Sequence, residues 1–119
     1  MTTRDDVAAF NEAFSAALAA QDVDAVVASY TEDARLLFEG SPMVQGHAAI
    51  EAFLAPGLLK RPSIITFESI DIREGDSFVV DVGRYTTPTG SGKYIVVHER
   101  QADGSLRMAV DSATGDGAG

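Results

Sequence analysis

Apolar residues recur at three- and four-residue steps through Val7, Phe10, Phe14, Ala17 and Leu18, the period of a helix that buries one stripe. This spacing predicts a helix over residues 3–20, with Thr3 and Asp6 as its N-terminal cap. A second, short helix is predicted from Asp22, whose carboxylate can accept an orphan backbone N–H, and it buries Val23, Val26, Val27 and Tyr30. Residues 34–38 and 43–45 read as two short strands around the turn Glu39-Gly40-Ser41-Pro42. After Gly46 helical spacing returns through Ile50, Phe53 and Leu54, and Pro56-Gly57 is expected to stop it.

The second half changes period. β-branched residues become dense, and Gly-bearing turns separate runs of residues 64–73, 77–87, 93–101 and 106–113. These predict a four-stranded meander. Helices followed by an antiparallel sheet make an α+β domain with the helices on one sheet face, an arrangement that often encloses a pocket. Residues 1–114 form the expected single domain, and residues 115–119, GDGAG, lack anything to bury and read as a flexible tail.

Composition narrows the functions open to this fold. At 119 residues and 45% hydrophobic, the chain supports one core and is too apolar for disorder. No apolar run approaches the roughly 20 residues of a membrane span, and the first ten residues lack the pattern of a secretory signal, so a cytoplasmic protein is expected. With no cysteine there is no disulfide, thiolate nucleophile or cysteine-held metal. The net charge of -9 repels phosphate backbones and anionic lipid, so neither nucleic acid nor membrane is an expected partner. Two isolated histidines have no metal-site spacing, Gly90-Ser91-Gly92-Lys93 leads into a strand and not a phosphate-binding helix, and no cofactor is implied.

The order helix, helix, hairpin, helix, four strands, with the segments FNEAFSAALAAQDVDAVVASYTEDARLLFEG, VQGHAAIEAF and GKYIVVHERQADGSLRMAVDSA, resembles the nuclear transport factor 2-like superfamily and its ketosteroid isomerase-like and polyketide cyclase-like branches. The resemblance covers nearly the whole chain. It implies a cone-shaped α+β barrel of three helices on a strongly curved antiparallel sheet, an apolar internal cavity, and a homodimer through the outer sheet face. Members include isomerases, cyclases, hydrolases and non-catalytic association domains, so fold alone does not decide activity. The positions that carry a base, an oxyanion-binding tyrosine and a second acid in the isomerase branch align with Phe38, Phe14 and Val96. A hydrocarbon side chain neither takes a proton nor binds an enolate, so that mechanism is absent in its familiar form.

Other residues carry the candidate chemistry. If Val96 faces the cavity, strand parity puts Tyr94 and His98 beside it, and His98 is the natural acid–base group near neutral pH, the alternative being a packed histidine. Asp111 is the one carboxylate in an apolar strand, needs a partner such as Arg84, and stands where small members of this superfamily often carry an aspartate. Its direction stays open, because one bulge reverses it. Tyr30 either brings a hydroxyl to the cavity or simply packs in the core, whereas His47 reads as structural or exposed, and Glu39 as a solvated turn residue that could swing toward a pocket mouth. Catalytic candidates are therefore His98, Asp111 and Tyr30, with Phe10, Phe14, Phe38, Phe53, Arg84, Tyr94, Val96 and Met108 as binding walls. The expected function is cofactor-free acid–base conversion, of isomerase, cyclase or hydrolase type, of a small apolar molecule. The alternative is a non-catalytic association or ligand-carrier domain working as a homodimer.

Overall fold

The computed structural model describes residues 2–117. Helix α1 (Thr3–Ala19) is capped one residue earlier than expected: the Thr2 hydroxyl accepts from the Asp5 N–H and the Asp5 carboxylate accepts from the Thr2 N–H. This reciprocal pair satisfies two otherwise orphaned donors. Val7, Phe14 and Leu18 form the buried stripe. Helix α2 (Val23–Ala28) starts at the expected cap, Asp22, and buries Val26 and Val27, but Tyr30 opens strand β1 (Tyr30–Phe38) instead of closing the helix.

A short β2 (Val44–Gln45) pairs with β1, and α3 follows (His47–Lys60). Contrary to expectation, α3 runs through Pro56 and Gly57. The last turn buries Leu58, and the Gln21 side chain donates to the carbonyls of Leu58 and Leu59 at 3.0 and 3.3 Å, so packing and external donors outweigh the helix-breaking pair.

Strands β3 (Thr66–Glu74), β4 (Phe78–Thr87), β5 (Gly90–Arg100) and β6 (Leu106–Gly115) form the predicted meander. The six-stranded sheet has the order β2-β1-β6-β5-β4-β3, and β1 lies parallel to β6. The sheet is therefore mixed rather than purely antiparallel, and open rather than closed into a barrel, since β2 and β3 stand at opposite edges. Of the expected tail, Gly115 belongs to β6 and Asp116 is held by Ser91 and Lys93; residues 118–119 lie outside the described residues. No helix among the described residues is long and apolar enough to cross a membrane.

Two bulges set which side chains face inward. Along β6, Met108 pairs with His98 but Val110 with Val97, leaving Ala109 as an extra residue. Met108 and Asp111, an odd number of positions apart, thereby both face the helices. Along β3, Ile70 is the extra residue, so Phe67, Ser69 and Ile72 share the inner side. The main core gathers Phe14, Leu18, Val26, Tyr30, Leu36 and Ile50 against Tyr94, Val96 and Met108.

Candidate functional site

The core does not fill the space between the helices and the concave sheet. A cavity of about 350 Å³ remains, with Phe10, Phe14 and Leu18 of α1 above it and Tyr94, Val96 and Met108 of the sheet below. Phe38 and Leu54 wall one end, Phe67 and Ile65 the other. Aromatic rings stiffen this lining: Phe14 packs at 5.9 Å from Phe10, 6.0 Å from Tyr30 and 5.9 Å from Phe67.

Into this apolar wall project Asp111 and Tyr30. Asp111 is 8% exposed, and its Oδ2 accepts from the Tyr30 hydroxyl at 2.7 Å. The parallel pairing of β1 on β6 brings the two together, with Tyr30 opposite Met108 and Leu36 opposite Asp111. Burial pushes the Asp111 carboxyl up to about 6, while the Tyr30 hydrogen bond pulls the other way. The tyrosine is raised well above its ordinary value by burial and by the negative charge of Asp111, so it keeps its proton and donates it. The pair is thus an acid–base group poised near neutral pH inside an apolar chamber.

A second tyrosine–carboxyl pair lies across the sheet. Tyr94 donates to Asp81 Oδ2 at 2.9 Å, and Asp81 is completely buried. Desolvation, reinforced by the Asp81 charge, raises Tyr94 well above its ordinary value, whereas the neighbouring Ser69 and Asn11 side chains act to lower it. Asp81 and Asp111 both pair with Val96, from β4 and β6 respectively, so the two carboxyl residues flank that valine in one row across three strands. Acidic groups thus sit one strand to either side of the position the isomerase branch would use.

Three expected site residues are corrected. His98 is fully buried but does not line the cavity: the Phe10 ring packs edge-on against it at 4.6 Å, and neither ring nitrogen has a hydrogen-bond partner among the described residues. Burial lowers it to about 4, with Asp81 opposing the shift and Arg100 adding to it, so it is a neutral core imidazole at pH 7. Arg84 points to solvent, 3.8 Å from Glu68, and is not the partner of Asp111. Phe53 is 41% exposed and touches Phe38 from outside at 6.1 Å between ring centres. Phe10, Phe14, Phe38, Tyr94, Val96, Met108, Tyr30 and Asp111 do line the cavity.

Sequence reasoning missed Asn11, Phe67 and Tyr85, which line the cavity, and Asp81 behind Tyr94, whereas Glu39 is the exposed turn residue expected, and it also lines the cavity and accepts from the Gly115 N–H. A signal for Asp81 was present: it shares strand parity with Val79, Gly83 and Tyr85 in an otherwise apolar run. His47 is structural as expected, its Nε2 lying 2.8 Å from the Tyr30 carbonyl.

Residues 11–109 match the SnoaL-like domain. The chain belongs to that family, within the nuclear transport factor 2-like superfamily. No curated protein matches the sequence. Solved structures share the fold at low identity. An NTF-2-like protein of unknown function from Shewanella oneidensis superposes with a TM-score of 0.80 at 18% identity, over 95% of this chain and 99% of the other. A putative calcium/calmodulin-dependent protein kinase II association domain from Xanthomonas campestris gives 0.80 at 22%, over 95% and 87%. A ketosteroid isomerase-like protein from Erwinia carotovora gives 0.70 at 18%, over 92% of each chain. Within this SnoaL-like domain the cavity, the Tyr30–Asp111 pair and the Tyr94–Asp81 pair are the chemistry to explain.

Proposed function

We propose that this SnoaL-like domain binds a small, mostly apolar molecule in the cavity and catalyses a cofactor-free proton transfer on it, of isomerase, cyclase or hydrolase type, with Asp111 as the base and Tyr30 as the group that orients it. The observation that carries the reading is a carboxyl raised to about 6 in an apolar chamber and held at 2.7 Å by a tyrosine hydroxyl. A base of that strength is mostly ionised at pH 7, yet strong enough to draw a proton from carbon next to a carbonyl. The apolar walls leave it only 8% exposed, so little water solvates it. The catalytic role first expected of His98 passes to Asp111, because a neutral imidazole behind Phe10 cannot reach a ligand.

The experiment is hydrogen–deuterium exchange at the acetyl group of acetylnaphthalene in heavy water, followed by NMR. Wild type accelerates exchange over buffer, with a rate that climbs as pH rises through about 6, and Asp111→Asn removes roughly a hundredfold of that acceleration. Exchange at the buffer rate with wild type, across a panel of enolisable aromatic ketones, overturns the reading. It would leave the domain as an association or carrier module, a reading that draws on the outer sheet face, where Ile70, Phe78 and Ile95 are about half exposed and a second copy of the chain could cover them.

A further inference from the structure

We propose that the Tyr85 hydroxyl is a second polar contact of the same cavity, selecting ligands that carry a neutral oxygen at the end remote from Asp111. The inference rests on the cavity-binding reading above and specifies its substrate class: an elongated, mostly apolar ketone with an ether, hydroxyl or second carbonyl oxygen at its far end.

Polarity comes first. Tyr30, Tyr85 and Tyr94 all line the cavity. Tyr30 donates to Asp111 and Tyr94 to Asp81, whereas the hydroxyl of the half-buried Tyr85 has no hydrogen-bond partner among the described residues. A ligand that covers this hydroxyl strips it of water, and an apolar end puts nothing in its place, which leaves a donor unpaired. A ligand oxygen takes the phenol proton instead. The Glu39 carboxylate lines the cavity beside it and repels an anionic end, so the matching oxygen is a neutral one.

The backbone is cleared for this ring. Tyr85, Gly92 and Gly115 form one row across β4, β5 and β6. A Cβ on Gly92 would stand 2.3 Å from Tyr85 Cζ and 2.4 Å from its hydroxyl oxygen, so the phenol lies over β5 where only glycine leaves room. The ring reaches on toward β6, where a Cβ on Gly115 would lie 3.8 Å from the same hydroxyl and 3.0 Å from Glu39 Oε1. Gly115 follows Asp111 by four residues on β6, which at about 3.3 Å per residue puts roughly 13 Å between the two rows. A ligand whose reacting carbon meets Asp111 therefore needs length to reach Tyr85, about that of two fused rings with a substituent at each end.

The test compares three probes by calorimetry: acetylnaphthalene bearing methoxyl, ethyl or carboxylate at the ring corner opposite the acetyl group. Methoxyl and ethyl match in shape and differ by one oxygen. Wild type binds the methoxyl probe about tenfold more tightly than the ethyl probe, the equivalent of one good hydrogen bond. Tyr85→Phe abolishes that preference while binding the ethyl probe at least as tightly as wild type does, the sign of an intact cavity. Gly92→Ala keeps the hydroxyl but displaces the ring, and it loses the preference too. The carboxylate probe binds wild type several-fold more weakly than methoxyl, and Glu39→Gln, which still offers an acceptor to the Gly115 N–H, narrows that gap. Because each readout is a ratio of affinities, general loosening of the fold does not mimic it. Equal binding of methoxyl and ethyl by wild type, a methoxyl preference that survives Tyr85→Phe or Gly92→Ala, or a carboxylate gap unchanged in Glu39→Gln overturns the inference while leaving the cavity reading intact. Failure of all three to bind overturns both.

Discussion

At the scale of single residues, the Tyr30 hydroxyl decides where Asp111 titrates. Burial alone raises the carboxyl, and the hydroxyl draws it partway back by stabilising the anion. Removing that donor leaves an anion deprived of a charge-assisted bond worth roughly 1.5–3 kcal/mol. Tyr30→Phe should therefore move the Asp111 titration upward by about one pH unit or more. In the exchange assay the inflection near 6 shifts to the alkaline side, the rate at pH 7 falls several-fold, and raising the pH restores most of it. A profile with an unmoved inflection would show that Tyr30 is a packing residue only. The sequence named both members of this pair but paired Asp111 with Arg84. Nothing in linear spacing indicates that β1 lies beside β6, and that parallel pairing is what brings residues 30 and 111 together.

Elements were legible where a single period ran unbroken, and illegible where packing broke it. The stripe of α1 and the Gly-punctuated strands followed local rules, so their order and number could be read. The inward turn of Asp111 depends on one extra residue, Ala109, which no pattern in LRMAVDSA marks. The continuation of α3 past Pro56 depends on Gln21, donated from the turn between α1 and α2. Asp81 escaped notice because its partner, Tyr94, lies on the neighbouring strand and reaches it only across Gly83. The two glycines at issue behave oppositely under the same substitution. Gly83→Ala forces the Tyr94 ring off β4 and should cost about 1–3 kcal/mol. Gly57→Ala, in α3 with nothing within 4 Å of its new methyl, should raise stability by up to about 1 kcal/mol through helix propensity. Urea unfolding of the two variants checks both signs, and a neutral Gly83→Ala would mean that the Tyr94 ring is not held by close packing.

For the whole molecule, the two buried titrating groups of the core couple folding to pH in opposite directions. Asp111 titrates at about 6 when folded and ordinarily at 3.8. Between those values the folded chain holds a proton that the unfolded chain has released. The stability this confers, about 3 kcal/mol, is full below 3.8 and lost as pH rises through 6. His98 titrates at about 4 when folded and ordinarily at 6.5. In that window the unfolded chain takes up a proton that the folded core excludes, so stability of similar size is lost as pH falls from 6.5 to 4. Across their shared range the two slopes nearly cancel, and each variant exposes the other's. Asp111→Asn should be stabilised relative to wild type at pH 7, where the wild-type carboxylate is ionised in an apolar wall, and this gain should shrink toward pH 4. His98→Leu should show the reverse: its advantage over wild type is absent at pH 7 and grows as the pH is lowered. Unfolding free energies at pH 4, 5, 6 and 7, taken as differences from wild type so that the surface carboxylates drop out, measure both. Parallel curves for wild type and Asp111→Asn would mean that Asp111 titrates as an ordinary carboxylate, and the proposed base would lose its physical ground along with its stability cost.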